Sequence, residues 1–433
     1  MKSSTRPVVL RDRPHARVGT PPGGAHPWAE RLTSRTADRV SGVSKHVGFS
    51  GTSHVHKRRL ALVLWNGAVG GAESFTVALA QRLRELGADV VVVFITGPHP
   101  LAERMHSVGQ PFRSLGFTRG RDVVWHPRRY ARDLARLAPD GALLGACGFM
   151  GAALRCGGYR APIVAVEHGA LLSLRTVPWL RRCLLRLGGV GGAWTTDAEI
   201  GVSDFMLGEM QRHPHARKIQ RISNGIDPTV YALPTTPAAS TPAGVLSIGC
   251  AGRLIQGKGV DRLIEAVARL QPTYSTSLAI AGDGPERTRL EALAGYLGVA
   301  HVVNFVGLVS NMAAFWQASD VAVVPSEMTE SFSMTTLEAM ASGKPVLATR
   351  NGGMCEVVVD GETGTLVPAG NAEALAAALR SYADADLRAR HGVAGRARAE
   401  EQFHIDASAR AYLSLFDEIA TRRPRRTGGR RAQ

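Results

Sequence analysis

A chain of 433 residues with 45% hydrophobic and 20% charged side chains is long enough for two globular domains, each with its own core. Its formal net charge of +16 first suggests nucleic acid, but the location of that charge argues against such a partner. Residues 1–57 carry ten Lys/Arg against three Asp/Glu and residues 421–433 carry six Arg and no acid, so the body between them holds only about +3, with no basic stripe predicted there.

Residues 1–57 are rich in Ser, Thr, Gly, Pro, His and Arg and poor in large apolar side chains. Too little surface could be buried to offset the entropy of ordering, so a disordered basic segment is expected. It lacks the apolar run of a signal peptide. Ordered structure is expected from Leu60 onward. Residues 60–65 form a continuous apolar run suited to a buried parallel strand. A glycine-rich turn follows, ending in Gly70 and Gly71, and then a helical pattern with Phe75, Leu79, Leu83 and Leu86 on one face and Gly87 at its end. Residues 90–95 read as a second strand, giving a strand–helix–strand unit of the doubly wound kind. Residues 162–166 and 199–202 look like later strands of the same sheet.

Residues 228–244 contain four prolines and read as a linker. The pattern then restarts. Strands are expected at 245–252, 277–281, 302–306, 321–325 and 345–349. One helix is expected to bury Val260, Leu263, Ile264, Val267 and Leu270, and another to span 333–341. The expected organisation is a disordered segment 1–57, a first doubly wound domain 58–230, a linker 231–244, a second such domain 245–400, a helix at 401–421 that packs back on the first domain, and a basic tail 422–433. The five cysteines show no metal-ligand spacing, and a reduced, cytoplasmic setting fits their odd number.

The chemistry-bearing residues gather at predicted strand ends. Glu330 and Glu338 stand eight residues apart across a loop-to-helix junction. A helix beginning at Ser333 would leave the amides of Ser333, Met334 and Thr335 open to a phosphate. Glu338 would tilt back toward that same end, within about 12 Å of Glu330 at the helical rise. The plainer alternative is two solvated acids that favour a helix start. Arg253 and Lys258 flank a glycine-bearing loop after a strand, where two cations could neutralise a diphosphate or simply decorate an exposed loop. His168, with Glu167 and Gly169, follows an apolar strand, a place for a ligand-binding or a structural histidine. Gly70 and Gly71 permit close backbone approach. Residues 171–187 interleave Arg175, Arg181, Arg182 and Arg186 with Leu and Trp179; they read either as an interfacial helix for a lipid-linked acceptor or as an ordinary surface helix.

Taken in order, these pieces resemble the retaining GT-B glycosyltransferases of glycosyltransferase family 4. The matching stretches are Gly70-Gly71-Ala72-Glu73, Glu167-His168-Gly169, Val202-Ser203, Ser223-Asn224-Gly225-Ile226-Asp227, Gly252-Arg253-Leu254 with Lys258-Gly259, Ala281-Gly282-Asp283-Gly284-Pro285, residues 303–307 and 318–320, and residues 330–343. The resemblance implies two Rossmann-like domains facing a cleft. It implies a nucleotide-diphosphate sugar as donor, a glycan, lipid-linked or small-molecule acceptor, and no catalytic metal or cofactor. Arg253 and Lys258 would hold the diphosphate, Glu338 the ribose and Glu330 the transferred sugar. Phe332, Ser333, Met334 and Thr335 would supply backbone amides, and His168 would stand near the reacting sugar. The Gly70-Gly71 loop would close over the phosphates. Ser333 departs from the glycine often found there. A nucleotide-sugar epimerase of the same fold and a non-catalytic sugar-nucleotide binder are the alternative readings. The implied setting is cytoplasmic or peripheral at the inner face of a membrane.

Overall fold

The computed structural model describes residues 58–65, 70–97, 101–119, 121–145, 148–169, 195–212, 218–231, 244–271 and 273–422. The basic segment 1–57, the Arg-rich stretch 171–187, most of the 231–244 linker and residues 423–433 lie outside the described residues.

Two parallel sheets organise the chain. The first comprises β1 (Arg59–Leu64), β2 (Asp89–Thr96), β3 (Phe112–Phe117), β4 (Gly141–Leu144), β5 (Ile163–Glu167), β6 (Ala198–Gly201) and β7 (Ile219–Arg221), in the order β3-β2-β1-β4-β5-β6-β7. The second comprises β8 (Leu246–Ala251), β9 (Thr276–Ala281), β10 (Val303–Gly307), β11 (Val321–Val324), β12 (Val346–Thr349) and β13 (Gly364–Val367), in the order β10-β9-β8-β11-β12-β13. Each order reverses direction once, between β1 and β4 and between β8 and β11. At such a point the connections leave toward opposite faces, and a crevice opens beyond the carboxyl ends of the strands.

The apolar patterns mark buried strands and helix faces. Leu60, Ala61, Leu62 and Val63 are at most 1% exposed, as a strand covered on both faces requires. The Gly71–Glu85 helix buries Phe75, Leu79 and Leu83, and Gly87 closes it in the left-handed region at φ 96°. The Val260–Leu270 helix buries Val260, Leu263, Ile264, Val267 and Leu270. Four strands have no counterpart in the sequence reading. β3 lies at a sheet edge and is mostly exposed, β7 is three residues long and polar, and β4 and β13 are four residues each and begin with glycine. The last three are too short to show a period, and β3 lacks the apolar run of a buried strand.

The last helix is divided. Ala385–Gln402 ends, the chain crosses at Phe403 and His404, and Ile405–Arg422 follows. The crossing is fastened by Ile226 N–H to Phe403 O at 2.7 Å and Ile405 N–H to Ile226 O at 2.9 Å. Ile405–Arg422 then packs against the first sheet. Phe416 fills the space beside Gly141, where even a Cβ would come within 2.7 Å of its ring, and Arg82–Asp406 and Lys218–Glu418 ion pairs flank it. One apolar cluster joins the two sheets: Phe75, Leu79 and Phe416 belong to it together with Phe332, Met334 and Leu337. Among the described residues no helix is long and apolar enough to cross a membrane.

Candidate active site

The loops beyond β8, β9 and β11 must approach closely, and glycine allows it. A Cβ on Gly259 would lie 1.9 Å from Pro325 O, and one on Gly282 would lie 1.9 Å from Gly252 O; both glycines also have positive φ. The result is a cleft of about 620 Å³ at the carboxyl ends of both sheets. Gly70, Gly71, His168, Arg253, Lys258, Glu330, Phe332, Ser333, Met334, Thr335 and Glu338 all line it. Residues separated by more than 260 positions therefore share one surface.

Two helix N-termini point into this cleft. The 15-residue helix Gly71–Glu85 opens behind Gly70. Its first turn is held by Ser74 N–H to Gly70 O at 2.9 Å. The second helix spans Met334–Ala341, one residue shorter at its start than the 333–341 expectation. Ser333 instead caps it. Its Oγ accepts Thr336 N–H at 3.3 Å and sits 2.8 Å from Thr336 Oγ1, and its backbone lies at φ 83°, ψ 88°. Ser333 is the one non-glycine residue with positive φ among the described residues. The strain of that conformation explains why glycine suits the position, and the cap supplies a compensating bond that glycine lacks. With Thr336 N–H capped, the amides of Met334 and Thr335 have no acceptor among the described residues. Phe332 contributes only backbone: its ring is 2% exposed and packs edge-on to Phe403 at 5.6 Å.

Two of the charged groups already meet in the cleft. Lys258 Nζ pairs with Glu330 Oε1 at 2.7 Å, and Ser326 Oγ donates to the same oxygen at 2.6 Å. Cation and carboxylate, which the sequence assigns to separate parts of a ligand, form one partly buried unit. Arg253 is exposed at the cleft, and its guanidinium forms no hydrogen bond or ion pair among the described residues. It faces Glu73, whose carboxyl is pushed above the usual range by burial, partly offset by a bond to its own backbone and by the Arg253 charge. His168 packs edge-on to Phe75 at 6.4 Å. Desolvation pushes its pKa down to about 4, so at neutral pH it is an uncharged hydrogen-bonding group.

The sequence motifs do not reveal what holds the two halves of this site together. Ser331 Oγ donates to His168 O at 2.9 Å, and Ser203 Oγ donates to Ser331 O at 2.6 Å. The Glu356 carboxylate accepts the first two amides of the Asp204–Gln211 helix, Asp204 N–H at 2.8 Å and Phe205 N–H at 2.6 Å. Asn351 Nδ2 donates to Met328 O at 2.7 Å and Glu327 O at 3.0 Å, fixing the loop that presents Glu330. Asn224, quoted within a motif but without a role, is 3% exposed in the cleft wall, and its Oδ1 has no partner among the described residues. Among those residues, no three His, Cys, Asp or Glu side chains gather as a metal site.

Comparison with known proteins places this geometry. The family described as Glycosyltransferase Family 4 matches residues 69–230, and that described as Glycosyl transferases group 1 matches residues 240–398. The lipopolysaccharide core biosynthesis glycosyltransferase LpsE of Rhizobium meliloti is 38% identical over 201 residues, covering 46% of this chain and 58% of the relative. Glycogen synthase of Mycobacterium tuberculosis is 32% identical over 267 residues, covering 60% of this chain and 63% of the relative. The chain thus spans less than two thirds of the length of these curated relatives. The crystal structure of Anabaena HepE in complex with UDP and glucose superposes with a TM-score of 0.72 at 20% identity, covering 83% of this chain and 99% of that one. Sucrose-phosphate synthase from Thermosynechococcus elongatus gives 0.72 at 22% identity, covering 84% and 99%. With two parallel-sheet halves facing a cleft and the two family matches in series across them, the chain has the GT-B fold and belongs to the group 1, family 4 glycosyltransferases.

Proposed function

We propose that this protein is a retaining, metal-independent glycosyltransferase that moves a sugar from a nucleotide-diphosphate donor to a glycan, glycolipid or small-molecule acceptor in cell-surface polysaccharide or glycoconjugate synthesis. One observation carries the reading: a guanidinium, an ammonium and two helix N-termini converge on a cleft whose walls also hold Glu330 and Glu338. As the bond from the sugar C1 to the diphosphate oxygen breaks, negative charge builds on the leaving group. Arg253, Lys258 and the Met334 and Thr335 amides are fixed donors for that charge. Glu338 accepts ribose hydroxyls. Glu330, already oriented by Lys258 and Ser326, accepts a hydroxyl of the transferred sugar. Neutral His168 donates or accepts a hydrogen bond at the reacting sugar without adding charge. The structural relative solved with UDP and glucose supports UDP-sugars as the first donors to try, and the lipopolysaccharide-core relative supports a glycan acceptor.

A thermal-shift panel of UDP-, GDP- and ADP-sugars tests the donor assignment, because a ligand that binds only the folded state raises Tm. One class is expected to stabilise the wild type and to lose that effect in Glu338→Ala. The stabilising donor then enters a transfer assay with and without a chelator, and equal rates are expected. Epimerised donor formed without acceptor would replace the transferase reading with epimerisation. Tight donor binding with no transfer to any acceptor would replace it with a binding role.

A further inference from the structure

The charge of this chain is not confined to its ends. Between Arg113 and Arg136 the first half carries seven arginines and two aspartates, a net +5. Acids elsewhere in the body cancel it in the total, so charge counting finds no stripe where the structure has one.

Two helices follow the edge strand β3: Asp122–Trp125 and Pro127–Leu137. The second buries Tyr130, Ala131 and Leu134. Arg128, Arg132 and Arg136 recur every fourth residue and therefore share the opposite, exposed face. Just ahead of them Trp125 is 77% exposed and Val124 is 49% exposed. Arg129 turns inward, over the Phe117 ring at 4.6 Å and onto Leu115 O at 2.8 Å, and Arg132 pairs with Asp133 at 3.2 Å. The guanidinium groups of Arg119, Arg121, Arg128 and Arg136 are exposed and make no hydrogen bond or ion pair among the described residues.

An indole left in water beside unpaired arginines has the chemistry of a lipid interface. The ring suits the headgroup level, where its apolar body and polar N–H are both accommodated, and guanidinium groups suit anionic headgroups. A nucleic acid would match the arginines but offers Val124 no hydrocarbon. We propose that this face rests on an anionic lipid bilayer, with Trp125 and Val124 entering the headgroup region and Arg119, Arg121, Arg128 and Arg136 over the lipid phosphates. The two helices leave the carboxyl end of the edge strand β3, the end of the first sheet toward which the cleft opens. The proposal does not depend on the transferase reading, since it concerns binding alone.

The test is co-sedimentation of the full chain with phosphatidylcholine vesicles, with and without phosphatidylglycerol. The basic ends, common to all variants, supply a constant background. Arg121→Glu/Arg128→Glu/Arg136→Glu is compared with Arg269→Glu/Arg380→Glu/Arg390→Glu, a charge-matched change on exposed arginines of the second half. At about fivefold in affinity per cationic side chain near the surface, the first triple is expected to lose at least tenfold more binding to anionic vesicles than the second. Trp125→Ala is expected to lower binding several-fold even at high salt, where charge is screened. Equal losses from the two triples, or unchanged binding by Trp125→Ala, would overturn the proposal, as would loss of nucleic-acid binding by the first triple with vesicle binding intact. Coincident thermal melts, or the corresponding Gln variants where melts differ, separate binding from folding.

Discussion

The two halves of the molecule share an architecture and differ in how they spend their polar groups. In the second half, four of the ten arginines beyond the cleft in residues 245–400 pair along their own helices: Arg262 with Glu265, Arg287 with Glu291, Arg289 with Glu286 and Arg396 with Glu400. Its cleft groups come from three loops whose glycines permit contact between backbones. The first half brings single residues, His168 and the Gly70-Gly71 turn, from distant strand ends, and leaves arginines and a tryptophan unpaired on its outer side. One half is a compact, self-braced pocket edge. The other is a partner surface that completes the pocket and keeps an outer face for something else.

The comparison breaks most sharply at the cations. Arg253→Ala/Lys258→Ala removes both second-half donors to the leaving group, and turnover is expected to fall by about 10³-fold or more in a transfer assay. Near-wild-type transfer would remove the second half from the role assigned to it. The same variant leaves Glu330 with Ser326 as its remaining side-chain partner, so Tm should drop by a few degrees.

A smaller effect tests the seam. Glu356 belongs to the second half but caps a first-half helix, and burial holds its carboxyl above the usual range against the two amides that stabilise its charge. Glu356→Gln keeps the shape and removes the charge at a helix N-terminus, worth about 1 kcal/mol. The expected result is a Tm loss of roughly 4 °C or less and a raised donor KM with kcat changed less. An unchanged KM would show that the halves keep their approach without this cap.

The smallest expected effect is a pH dependence confined to the first sheet. Burial, then the neighbouring Glu167 charge, pushes Glu199 up to about 7, so the folded state holds a proton there that the unfolded state releases near 4.5. That contribution is fully present below 4.5 and lost as pH rises through 7. His168, pushed down to about 4, has the opposite slope: its contribution is present above 6.5 and lost as pH falls through 4. Glu199→Gln should therefore gain Tm relative to wild type between pH 5 and pH 8, by a degree or two. A parallel shift at both pH values would refute the assignment.

Much of the fold was legible because buried parallel strands and amphipathic helices carry strong periods: β1, β2, β8 and the Val260–Leu270 face follow directly from runs of Leu, Val and Ile. β3, β4, β7 and β13 were not, being exposed, polar or too short to show one. Most candidate cleft residues were legible because they sit beside a glycine or soon after a strand, where motif spacing is tight, and Glu338 because the helical pattern puts it near a helix start. Glu356 and the Ser203–Ser331–His168 link carried no such signal, since their partners lie 128 and 163 residues away in the serine links and about 150 away for Glu356, and Asn351 reaches backbone carbonyls that no side-chain pattern marks.

By itself, then, the sequence determined the two doubly wound halves, the positions of their principal strands along the chain and the residues that the fold gathers into one cleft. Tertiary structure alone decided that Lys258 is already paired with Glu330, that Ser333 caps its helix from a left-handed conformation, and that the arginines after β3 form a face. Each of these depends on backbone direction or on which groups meet across the cleft, and neither is a local property of the chain.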